Sequence, residues 1–153
     1  MSTVLHLPVL TFTPSPDPDM VTMRSSLPPT RESLTHKFQI NGFEGYLTVG
    51  LFEDGTPGEI FIKMSKEGST LSGLLQGFCR AFSLAIQFGL PLEEATRRFT
   101  GMRFEPMGPT SNPRIPEALS IIDYIARYIE LEFVQHGGGS GGGRQALSTG
   151  APD

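Results

Sequence analysis

From residue 35 onward, apolar residues recur at every second position. Phe38 and Ile40 share one face of THKFQI (35–40), and Leu47, Val49 and Leu51 share one face of GYLTVGLF (45–52). A period of two marks half-buried strands. Asn41-Gly42 lies between these runs and is the dipeptide that most favours a tight type I′ hairpin turn. EDGTPG (53–58) carries Asp-Gly and Pro-Gly turn signals, and EIFIKM (59–64) returns with Ile60, Ile62 and Met64 on one face. Three strands joined by two short turns make an antiparallel meander.

The period then changes. Leu71, Leu74, Leu75, Phe78, Phe82 and Ile86 follow helical spacing, which predicts a helix from Leu71 to about Phe88. Ala81, Leu84, Ala85 and Phe88 widen its apolar stripe over most of the circumference, so cover on more than one side is expected. Gly89 is placed to end it. Pro91 opens a short second helix with Glu93 and Glu94 in its first turn and Arg97 and Arg98 near its end, and Gly101 stops it. Residues 102–116 read as loop, with a short strand at Met102 to Glu105. A last helix is expected from Pro116 and Glu117 to about Phe133. Leu119, Ile122, Ile125, Ile129 and Phe133 line one face, bordered by Ile121, Tyr124 and Tyr128. The fold class is α+β: a small antiparallel β-meander packed against two long helices and one short helix. No internal repeat is present.

Composition sets the limits of this unit. Of 153 residues, 38% are hydrophobic, and the ends hold most of the proline, glycine and small polar residues. Residues 1–33 read as a disordered proline-rich arm, 34–134 as the folded domain, and 135–153 as a flexible glycine-rich tail. A net charge of −4 with scattered Lys and Arg argues against a nucleic-acid partner. No apolar run approaches the roughly 18 residues of a membrane span, and the N-terminus lacks the features of a signal peptide. A cytoplasmic protein without a membrane partner is expected. Cys79 is the only cysteine and the three histidines are dispersed, so neither an internal disulfide nor a metal site is expected.

Candidate chemistry gathers in two places. Lys63, Lys66, Gly68, Ser69 and Thr70 place lysines and a glycine turn at a helix N-terminus, a setting that can hold an anion or a nucleotide phosphate. Ser69 or Thr70 serving only as the helix cap is the preferred reading, because the spacing is not that of a triphosphate loop. Arg97, Arg98 and Arg103 could bind phosphate or a partner's carboxylates, although arginines near a helix C-terminus ordinarily serve the helix dipole. On a strand, Arg103 and Glu105 would share a face and pair. Glu53, Asp54 and Glu59 could converge on a cation, but the turn accounts for them. Cys79, mid-helix between aromatics, is expected to be inert. A Ser69–His36–Asp123 triad lacks any nucleophile elbow and has no support.

Several longer stretches, taken together in one colinear series, carry a resemblance. They are GYLTVGLFEDGTPGEIFIKMSKEGSTLSGLL, IQFGLPLE, RFEP and IIDYI, spanning about Leu34 to Phe133. The chain resembles the C-terminal, TSCPD-like region of adenosylcobalamin-dependent (class II) ribonucleotide reductases. That family's chemistry uses a thiyl radical and a pair of reducing cysteines on a catalytic barrel, with further C-terminal cysteines passing on electrons. This chain has one thiol and no barrel, its tail is glycine and serine, and the eponymous cysteine has no counterpart. The resemblance therefore implies a non-catalytic accessory module of DNA precursor metabolism, without a cofactor of its own in a family that uses adenosylcobalamin. It would dock to a protein partner such as a reductase catalytic chain, form a homodimer, or sense a nucleotide. The alternative is a split subunit, active only with a separate catalytic chain.

Overall fold

The computed structural model describes residues 23–65 and 70–136. Its centre is a three-stranded antiparallel sheet of β1 (Ser33–Ile40), β2 (Phe43–Leu51) and β3 (Pro57–Met64), in sequence order. The expected meander is present, with each strand slightly longer than the alternation alone marked. Asn41 (φ 46°) and Gly42 (φ 84°) both occupy left-handed backbone, as a type I′ turn demands. Phe38, Ile40, Leu47, Val49, Ile60, Ile62 and Met64 all point into the core. The opposite sheet face carries Thr35, Lys37, Tyr46, Thr48, Phe61 and Lys63 toward solvent.

Helix α1 (Thr70–Gln87) packs along β3, burying Leu75, Cys79 and Phe82. Gly89, at φ 101°, closes it. The short α2 (Leu92–Phe99) follows, and Phe78, Phe82 and Phe99 meet in an aromatic cluster with centroids 4.9–6.1 Å apart. Among the described residues, nothing covers the second side of the wide apolar stripe of α1. Leu74 is 67% exposed, and Leu84 and Phe88 also stand open.

Two expectations between α2 and the last helix are corrected. Met102 to Glu105 is not a strand, and Arg103 and Glu105 form no ion pair. The strand pairing lies further on, where β4 (Gly108–Pro109) pairs antiparallel with β5 (Glu117–Ala118). That pairing takes Glu117 out of the last helix, so α3 spans Ile121–Ile129 and continues as a π-helical turn, Glu130–Val134. Its start is fixed by Ser120, whose Oγ accepts from the Asp123 N–H at 2.9 Å. The buried face is also rotated from the expected one. Ile121, Tyr124, Ile125, Tyr128 and Ile129 are buried, whereas Leu119, Ile122 and Phe133 are only partly covered. Tyr124 enters this core because its hydroxyl finds partners there, described below.

Of the stretch read as an arm, residues 1–22 lie outside the described structure, as do 137–153 of the tail. Within 23–33, Arg24 Nε donates to Gln87 Oε1 at 2.7 Å and Ser25 N to Gln87 O at 2.9 Å. Arg31 pairs with Glu59 across the outer sheet face.

Candidate functional site

β3 is an edge strand, and an uncovered edge exposes a row of backbone donors and acceptors. Its hydrogen-bonding rim is sealed by side chains of α1 spaced four residues apart. Such residues stack on one helix face. Cys79 takes the Ile62 N–H, and Ser83 Oγ accepts from Ile60 N at 2.9 Å while donating to Cys79 O at 2.6 Å. Gln87 Nε2 donates to Gly58 O at 2.7 Å. All three side chains are buried. The helix thus stands where a fourth strand would, and its side chains take the Gly58 carbonyl and the Ile60 and Ile62 N–H groups of the rim.

Beside this seam lies a cleft of about 350 Å³ lined by Arg24, Glu59, Phe61, Gln76, Arg80 and Leu84, with Cys79 at its wall. Glu59 is held by Arg31, and Arg80 makes no ion pair among the described residues. Guanidinium groups beside apolar walls suit binding of a small anionic ligand. Burial pushes the Cys79 thiol up to about 12 and suppresses its thiolate form.

Lys66, Gly68 and Ser69 lie outside the described residues, so the anion-loop expectation rests on Lys63, exposed on the outer face of β3, and Thr70, the first residue of α1. Arg97 and Arg98 both turn back to Glu94, Arg98 at 2.7 Å, and the Arg97 guanidinium, then that of Arg98, holds this carboxyl below its usual range. Arg103 stands apart on the loop after α2. Asp54 Oδ1 accepts from Thr56 N at 2.9 Å and Thr56 Oγ1 at 2.6 Å, the Asp-centred turn.

Sequence reasoning missed two polar nodes. The first joins β1 to α3. His36 Nε2 lies 2.8 Å from the Tyr124 hydroxyl, Asn112 Nδ2 donates to that hydroxyl at 3.2 Å, and the His36 ring stacks on Tyr128 at 4.0 Å. With its oxygen taken by Asn112, Tyr124 can give its proton to a neutral Nε2. Burial lowers the His36 pKa, and the nearby Glu132 only partly offsets this. The unfolded chain then binds a proton more readily than the folded one. Stability is expected to be level above about pH 6.5 and to fall as pH drops below it. Urea titrations from pH 7.5 to 5 should show that loss, and His36→Gln should remove part of the slope; an unchanged slope would refute it.

The second node is Asp123, 1% exposed. Its Oδ1 accepts from Gly101 N at 2.7 Å, and its Oδ2 from Leu119 N at 3.0 Å and Arg127 Nη1 at 3.4 Å. The Ser120-x-x-Asp123 spacing before an apolar run was the available signal.

The structure defines a small α+β domain whose one cysteine is buried. The TSCPD domain family matches residues 18–133, and the chain belongs to that family. It is 52% identical over 127 residues to a vitamin B12-dependent ribonucleotide reductase of Rhodopirellula baltica, covering 83% of this chain and 12% of that protein. Proteins of the same name from Streptomyces avermitilis and Bradyrhizobium diazoefficiens are 46% and 41% identical over 112 residues, covering 12% and 9% of their lengths. The chain thus spans about a tenth of these relatives. No solved structure matches it. The cleft beside α1, at about 350 Å³, is too small to enclose a corrin ring with its nucleotide arm. Among the described residues, no helix is long and apolar enough to cross a membrane.

Proposed function

We propose that this chain is a non-catalytic accessory module of a vitamin B12-dependent ribonucleotide reductase and docks to the catalytic part through the open face of α1. The observation that carries the reading is its strong likeness to a small fraction of a much larger reductase, across most of its own length. The docking face is supported by the sequence of α1. Leu74, Gly77, Ala81, Leu84 and Phe88 recur at intervals of three and four and are all exposed. A Cβ added at Gly73 or Gly77 would meet nothing within 4 Å, so the chain's own packing has no need of these glycines. Each costs its helix about 1 kcal/mol relative to alanine. Small residues between large apolar ones let a second helix approach closely.

The test mixes the chain with a reductase catalytic chain lacking the homologous region, adenosylcobalamin and a reductant. Sedimentation should show a complex. Gly77→Ala should raise the isolated module's stability yet weaken that complex, and Leu84→Glu should weaken it about tenfold or more. Absence of a complex overturns the reading. Ribonucleotide reduction appearing only on mixing would favour the alternative, a split subunit. The cleft with Arg24 and Arg80 favours nucleotide sensing as a second reading, which would show instead as a thermal shift with nucleotide and no partner.

A further inference from the structure

The sheet has two edges, and only one is sealed. α1 covers β3, but along β1 the register leaves part of the rim open. Leu51 N donates to Glu32 O, so the even-numbered residues of this segment turn their backbone groups toward β2. Those of Ser33, Thr35, Lys37 and Gln39 point away. Gln39 is occupied: its N–H donates to Ser111 Oγ at 3.1 Å and its C=O accepts from Ser111 N at 3.1 Å. At the other end Arg31 leaves the edge and crosses the outer face to Glu59. Between these limits, no described residue takes the outward N–H and C=O groups of Ser33, Thr35 and Lys37, and all three residues are exposed.

We propose that this open rim pairs with the same rim of a second copy, antiparallel about a two-fold axis at Thr35, joining two sheets into one. The occupant follows from the register. An antiparallel pairing centred on Thr35 sets Ser33 opposite the second copy's Lys37, Thr35 opposite Thr35, and Lys37 opposite Ser33. Each of these pairs exchanges two N–H···O bonds, so every open group in the window is used. Shifting the centre to Lys37 sets lysine against lysine, and centres at Leu34 or His36 leave one residue of the window unpaired. Lys37 is the ordinary guard of a free edge, yet here it is drawn to Glu44 at 2.6 Å on its own outer face, and in this register it meets a serine. Arg31 turning aside also frees the space that Ser111 of the other copy fills. The pairing is independent of whether α1 docks to a reductase chain.

The experiment measures the mass of the whole 153-residue chain by sedimentation equilibrium across concentration. A monomer–dimer equilibrium is expected. Thr35→Glu and Thr35→Lys each place like charges at the axis and should weaken it roughly five- to tenfold. Mixing the two variants should restore the dimer as a heterodimer, a result that misfolding cannot mimic. Thr35 is exposed, so both variants should keep the wild-type thermal unfolding. A monomer at every concentration, as when another segment of the chain covers the edge, overturns the proposal. So does a dimer indifferent to charge at residue 35.

Discussion

Asp123→Ala is expected to destabilise the fold by about 3–5 kcal/mol, the usual cost of removing one partner from a buried charged network. The carboxylate accepts backbone N–H groups from Gly101 and Leu119, and Arg127 approaches it from the next turn of α3. Alanine would leave both amides without their acceptor and the Arg127 guanidinium without its carboxylate. Three segments would loosen together: the end of α2, the approach to α3 and α3 itself. For a domain of about 100 residues each kcal/mol lowers the midpoint by about 4–8 °C, so the thermal transition should fall far or vanish. Asp123→Asn keeps one acceptor oxygen but turns an NH₂ toward a donor, and should lie between. Urea unfolding of the three proteins checks this. A loss for alanine below about 1 kcal/mol would show that the carboxylate is not a structural node.

The second large effect is chemical. With its thiol pushed from 9.0 to about 12, Cys79 should react with a disulfide reagent at pH 8 roughly a thousandfold more slowly than an unfolded cysteine. Burial dominates, since desolvation disfavours the thiolate more than the Ile62 N–H favours it. Labelling should rise to the free-thiol rate in denaturant, and fast labelling of the folded protein would refute it. Because Cys79 helps seal the β3 rim, its inertness and its place in the fold have one origin. The thiol is buried because it occupies the seam where α1 replaces a strand. A residue so placed is unsuited to radical or dithiol chemistry, consistent with an accessory role.

Strand and helix positions were legible because their signals are local. Alternation at Leu47 and Val49, the Asn41-Gly42 turn and the helical spacing of α1 each lie within a few consecutive residues. The last helix was misplaced at its start because Ser120 caps it only after Glu117 and Ala118 have paired with Gly108 and Pro109. Its buried face was misjudged because tyrosine ranks as a border residue until a hydroxyl partner is known. Tyr124 has two, and His36 lies 88 positions away. Arg97 and Arg98 pair with Glu94 one turn earlier, a local arrangement that their spacing of three and four residues from it allows.

By itself the sequence determined the meander, the three helices and the likeness to a reductase region, because periodicity, turn residues and colinear motifs are properties of neighbours along the chain. Tertiary structure alone decided which edge of the sheet is sealed and which stays open. It also decided that Cys79 is buried, that Asp123 is buried and hydrogen-bonded, and that one stripe of α1 is exposed among the described residues. Each depends on groups far apart in the chain meeting within hydrogen-bond or van der Waals distance, and such meetings are fixed by packing rather than by local pattern.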